Sequence, residues 1–192
     1  MYYIVKYSGA FGFIKPWCAV RDGETYSQQF LTPSIIEGIE KKLFPELLNE
    51  KSIHKIIRHK QSYSGFCVQQ EQTQTRGWEY KKSEKRMLRA LSILKRGVLL
   101  NPVLCLAFKE KEDAERALVQ HICLCRNEDI LLPFSQLYCM EEEEFEQLEG
   151  YELRFRESGQ SFLVGFNRFD DSKPMYGELE LGGSSVLNEY DA

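Results

Sequence analysis

The sequence lacks the roughly 18 consecutive apolar residues that a membrane span needs. It also opens Met1-Tyr2-Tyr3-Ile4-Val5-Lys6, without the basic-then-apolar layout of a signal peptide. A cytosolic protein with no membrane partner is therefore expected. There is no Gly-rich loop followed by Lys-Ser/Thr, no Gly-x-Ser-x-Gly and no His-Glu-x-x-His. These absences argue against phosphate-loop hydrolysis, nucleophile-elbow hydrolysis and zinc proteolysis. The six cysteines do not fall into pairs with metal-ligand spacing, because Cys123-x-Cys125 is one residue too tight and has no second pair. Buried free thiols are the expectation, with no metal and no cofactor. Histidine is scarce too: His54, His59 and His121 are all there are.

Acids are missing from one long stretch. Between Lys51 and Arg96 twelve Lys/Arg stand against three acids (Glu71, Glu79, Glu84), whereas the rest of the chain holds 13 Lys/Arg against 26 acids. An acidic protein with one contiguous basic segment has a directed field, suited to a polyanion. Aromatics are interleaved there: Tyr63, Phe66, Trp78 and Tyr80. Single-stranded nucleic acid is held by stacking bases on such rings while Lys/Arg follow the backbone.

With 192 residues and 43% hydrophobic content the chain can build one real core. The segment 1–7 reads as a strand. Thr32-Pro33 starts a helix in which Ile35, Ile36, Ile39, Leu43 and Leu47 share a face. A short strand is expected over 52–59, and a polar excursion without core pattern over 60–89. Apolar sequence returns over 91–108 as a strand pair or one long bent strand. A second helix is expected over 109–126 with His121 and Cys125 on its apolar face, then a strand over 129–140. The order β-α-β, excursion, β-α-β predicts an α+β, ferredoxin-like core, a split βαβ arrangement with two helices on one face of an antiparallel sheet and the other face free. On this reading residues 1–140 form the domain, with 60–90 a basic β-hairpin or thumb-like insertion. Residues 141–192 form a short β-rich C-terminal extension, with strands near 151–156, 161–166 and 175–181 after a solvated acidic run, Glu141–Glu144.

Several segments, in order, resemble the repeat-associated mysterious proteins of CRISPR systems, and among them the Cas-five family. They are Gly9-Ala-Phe-Gly-Phe-Ile-Lys-Pro16, Tyr26-Ser27 with Phe30-Leu-Thr-Pro-Ser-Ile-Ile-Glu-Gly38-Ile39, Leu94-Lys-Arg-Gly-Val98 and Asp129-Ile-Leu-Leu132. The resemblance covers roughly residues 1–140. It implies a non-catalytic subunit of a class 1, type I interference complex (Cascade) that caps the 5′ handle of the crRNA. Its neighbours would be the backbone subunit and the large subunit, with target DNA reached through the complex. Some members cleave precursor RNA with a tyrosine near the end of the first helix and a Lys-His pair after the third core strand. Here those places hold Phe44 and Lys109-Glu-Lys-Glu-Asp-Ala-Glu-Arg116. The residues expected to bind RNA are Lys55, Arg58, Lys60, Arg76, Lys95 and Arg96 on phosphates, Trp78 and Tyr80 by stacking, and Lys15 and Trp17 from the first loop. Two alternatives stay open: a metal-independent endoribonuclease using His54 or His59 with Lys55 and Tyr63, and a protein-binding adaptor that docks its basic segment on an acidic partner.

Overall fold

The computed structural model describes residues 1–16, 23–74, 77–154, 156–167 and 171–183. In chain order these form β1 (Tyr2–Ser8), β2 (Phe11–Gly12), β3 (Glu24–Tyr26), α1 (Pro33–Leu43), β4 (Ile56–Ser62), β5 (Gly65–Gln74), β6 (Glu79–Lys81), β7 (Arg86–Leu88), β8 (Leu91–Leu100) and β9 (Val103–Phe108). There follow α2 (Lys111–Leu118), β10 (Ile122–Cys123), β11 (Ile130–Pro133), β12 (Tyr138–Met140), α3 (Glu142–Glu146), β13 (Gly150–Arg154), β14 (Phe162–Asn167) and β15 (Lys173–Gly182). The protein is thus mixed α+β and rich in sheet. Among the described residues no helix is long and apolar enough to cross a membrane.

The main sheet runs β10-β11-β1-β9-β4-β13-β15-β14, with β12 also on β1. Its centre is antiparallel: β1 pairs with β9, and β9 with β4. β1 and β4 are therefore parallel strands joined through α1 and separated by β9. β9 and β11 are likewise parallel, joined through α2 and separated by β1. Period-two alternation sends Val5 and Tyr7 of β1, and Leu104, Leu106 and Phe108 of β9, to the helix side. There they pack with Ile36, Ile39, Leu43, Ala114 and Ala117. The Tyr7 hydroxyl is buried and donates to the Ala117 carbonyl at 2.8 Å, satisfying its polar end.

Residues 91–108 form one long strand bent at Asn101-Pro102. Asn101 takes a positive φ of 47°, which asparagine tolerates better than most residues. β5 pairs with β8 over ten consecutive residues, Gly65↔Leu100 to Gln74↔Leu91. The β4–β9 ladder thus continues past the bend as a two-stranded ribbon, closed at its far end by the small β6–β7 hairpin. Next to the bend β2 and β3 pair with β8 and widen the ribbon's base.

Four expectations are corrected. α2 ends at Leu118, because Gln120 turns back to the helix C-terminus and β10 begins at Ile122, so His121 and Cys125 are not helical. The stretch expected as one strand over 129–140 is two strands, both on β1. The sheet face opposite the helices is also not free. α3 lays Phe145 onto Ile4, Cys105 and Ala107 there. Nor is the Glu141–Glu144 run simply solvated: it forms a capping box at the start of α3, and Glu142 pairs with Arg58.

Candidate nucleic-acid interface

The described cations of the basic segment do not form one surface. Arg58 and Lys60 alternate on β4 towards the face covered by α3, opposite Ala107 and Cys105. Arg58 is 4% exposed. Its Nε and Nη2 donate to the Glu152 carboxylate at 2.8–3.0 Å, and Glu142 and Glu180 close around it at 3.3 Å. Burial works against its charge, but Glu152 and then Glu180 outweigh it and hold the guanidinium above its usual pKa. Lys60 is buried as well and donates to the carbonyls of Glu146 and Leu148 at 2.6 and 2.8 Å. Sequence reasoning puts both on phosphates. In this fold they clamp α3 and β13 to the sheet and present no donor to an outside anion. Lys55 is committed to Asp113 and sits 4.5 Å from the centre of the Phe44 ring.

His54 and His59 are also occupied or enclosed. The ring Nε2 of His54 lies 2.9 Å from the Lys51 carbonyl, and its backbone N–H is held by Glu40. His59 is 9% exposed, its Nε2 has no partner, and burial pulls its pKa from 6.5 down to about 4. As pH falls, the unfolded chain protonates this residue before the folded one does. Stability is therefore complete above about pH 6.5 and lost as pH falls towards 4, a slope worth up to about 3 kcal/mol. Denaturant titrations of wild type and His59→Leu at pH 7.5 and 5 should show the wild type losing more stability on acidification. Equal losses would refute the assignment.

The remaining candidates gather on the ribbon. At its base a cleft of about 290 Å³ is lined by Phe13, Lys15, Thr25, Glu71, Arg96, Cys125 and Arg126. β3 runs parallel to β8 here and places Thr25 beside Arg96. The guanidiniums of Arg96 and Arg126 lie 5.9 and 5.4 Å from the Phe13 ring centre, within cation–π range. Glu71 stands 3.5 Å from Arg96, and Asp129 holds Arg126 in a bidentate pair. Both side chains line the cleft; Arg96 is only partly neutralised by the exposed Glu71, whereas Arg126 is closely paired with the fully buried Asp129. On the other side of β8, Tyr26 lies flat over Gly97, where any side chain would collide with the ring. Tyr26 also meets Phe66 edge-on at 6.0 Å, and Lys95 beside it pairs loosely with Glu24 at 3.8 Å.

At the far end Trp78 and Tyr80 are each 57% exposed. Arg89 stacks over Trp78 at 4.5 Å from the ring centre. Lys81, Lys82, Lys85 and Arg86 surround them, with Glu84 pairing to Lys81 and Arg86. Trp17 and Arg76 lie outside the described residues. The structure therefore brings together Lys15 with Arg96 at the base and Trp78 with Tyr80 at the tip. It withdraws Arg58, Lys60 and Lys55 into the body.

No protein-family model matches the chain, and no curated protein matches it.

Phe13, Arg126 and Arg89 join the site without a sequence expectation behind them. Arg89 was within reach of sequence reasoning, eleven residues from Trp78 across a short turn-rich segment. Arg126 was not, because only the return of the chain after α2 carries it to the loop after β1. Among the described residues no group of His, Cys, Asp or Glu is arranged to hold a metal ion.

Proposed function

We propose that the protein is an RNA-binding subunit that grips a single strand along its ribbon. The tip provides stacking rings and the basal cleft provides cations. The observation that carries this is the placement of Trp78, Tyr80 and Arg89 at the exposed end of a ribbon whose base opens onto Lys15, Arg96 and Arg126. Aromatic faces joined to unburied cations suit a flexible polyanion whose bases can splay. The core order β11-β1-β9-β4, with α1 and α2 on one face, supports a ferredoxin-like, split βαβ reading.

The motif resemblance supports the more specific role of a crRNA 5′-handle cap in a type I interference complex, in contact with its backbone and large subunits. Phe44 is consistent with a subunit that does not cut RNA. It is fully buried, packs edge-on against Phe108, and is flanked by Lys55 and Arg116. A hydroxyl in its place would have no room to reach solvent.

The test is a binding titration of the full chain with a labelled single-stranded repeat RNA under chelator. Trp78→Ala should weaken binding by about 5- to 150-fold, from the 1–3 kcal/mol of one base–aromatic stack, and intact RNA should be recovered. Trp78 is exposed, so its loss leaves the fold unchanged. Unaltered affinity in Trp78→Ala, or site-specific cleavage abolished by His54→Ala, would sink this reading.

A further inference from the structure

A second cleft, away from the ribbon, opens within the main sheet. Among the described residues β13 meets β4 in register at one pair only, Tyr151↔Gln61. Beyond that pair the ladder does not continue, and the His59 N–H donates to the Glu152 carboxylate at 3.0 Å instead of to a strand carbonyl. β4 is irregular there too, with Ile57 left extra in its pairing to β9. A bulge of this kind re-aims side chains and ends pairing, and bulges gather beside functional sites. The resulting gap is a cleft of about 370 Å³, with Pro33 and Ile36 of α1, Ile53, Ile57 and Leu153 among its walls. It is larger than the cleft at the ribbon's base and falls within the range of small-molecule sites, about 300–1,000 Å³.

The polar groups of this cleft differ in what they have left to offer. Arg58 and Glu152 line it as a closed pair, the guanidinium fork already on the carboxylate. Arg154 gives one nitrogen to Glu180 at 3.3 Å and stays partly exposed. The His59 imidazole also lines the cleft, is 9% exposed, and its Nε2 has no partner. Buried polar side-chain atoms are nearly always bonded, so such an exception calls for an explanation. Burial keeps this ring neutral, and a neutral imidazole offers one donor and one acceptor nitrogen.

These features select the occupant. Arg58 and Glu152 answer each other's charge, so the buried part of the cleft favours a neutral group. A plain hydrocarbon would leave the imidazole unanswered, at a cost. A flat ring with donors and acceptors along its edge meets both demands, its faces on aliphatic walls and its edge at the imidazole. We propose that this cleft binds a purine or pyrimidine base, with its ring against Ile36, Ile57 and Leu153 and its polar edge towards His59. Arg154 is then the cation at hand for an attached phosphate. The chemistry is the same for a free nucleoside and for a base splayed out of a bound strand, and it does not require the ribbon to bind RNA.

Calorimetric titration of the full chain with adenosine, guanosine, cytidine and uridine should show saturable binding of at least one. Ile57→Trp fills the cleft from a position that is 40% exposed, which spares the core, and should weaken that binding more than tenfold. His59→Leu should weaken it about fivefold, the worth of one hydrogen bond, and His59→Gln, which keeps a donor and an acceptor, should retain more. Trp78→Ala should leave nucleoside affinity unchanged, so this result stands or falls apart from the ribbon's. Ile57→Trp also separates the two sources. Weaker binding of the labelled repeat RNA identifies a base of the strand as the occupant, and unchanged RNA binding identifies a free nucleoside. Nucleoside binding that Ile57→Trp does not reduce would overturn the proposal. So would no binding of any of the four at millimolar concentration together with RNA affinity unmoved by Ile57→Trp.

Discussion

Arg58→Met should destabilise the protein by about 3–5 kcal/mol, the range for leaving one partner of a buried ion pair uncompensated. Glu152 is 2% exposed and would keep its charge with the His59 backbone N–H, at 3.0 Å, as its remaining hydrogen-bond donor. The thioether cannot replace the fork that now reaches Glu152, Glu142 and Glu180 together. Arg58→Met combined with Glu152→Leu should recover part of the loss, because the carboxylate left without its guanidinium is removed as well. Recovery stays incomplete because the His59 N–H then has no acceptor. Urea denaturation followed by circular dichroism gives both values. If the single variant cost less than about 1 kcal/mol, of the size usual for exposed pairs, the pair would be a surface ornament and not the clamp described.

Glu40→Ala should cost about 2–4 kcal/mol by the same measurement, since hydrogen bonds to a charged group are worth more than neutral ones. Glu40 is fully buried on α1 and accepts the backbone N–H groups of His54, Lys55 and Ile56, at 2.5–3.1 Å. One carboxylate thereby ties the segment before β4 to the helix that precedes it. Glu40→Gln keeps the shape but has one acceptor oxygen and no charge, so it should fall between wild type and alanine. Equal stability of all three would show that the segment holds itself.

Glu40 and Glu152 also mark where sequence reasoning stopped. The pattern of Ile35, Ile36, Ile39 and Leu43 made α1 legible, and Pro33 at its first turn placed its start. The alternation of helical and strand patterns made the mixed α+β class legible. A buried carboxylate has no such signature. Glu40 falls on the apolar face of α1 among isoleucines, where a charge looks misplaced until the three N–H groups it serves are in view. Arg58 and Lys60 failed for the converse reason. They belong to a basic run, and only the late arrival of α3 and β13, about 90 residues on, turns those two cations inward. Charge counting along a chain sees sign but not depth. Trp78 and Tyr80 lie exposed at the tip, where the flanking Glu79, Lys81 and Lys82 offer nothing apolar to pack against.

The most direct test of the RNA-gripping ribbon is the salt dependence of binding between a single-stranded repeat RNA and the full chain. With about five phosphates neutralised, log affinity should fall against log salt with a slope near −3.5. Replacing Lys82, Lys85 and Arg86 at the tip by alanine should reduce that slope by about 2, at roughly 0.7 for each phosphate left unneutralised. A flat salt response, or a slope unmoved by stripping the tip, would contradict the account.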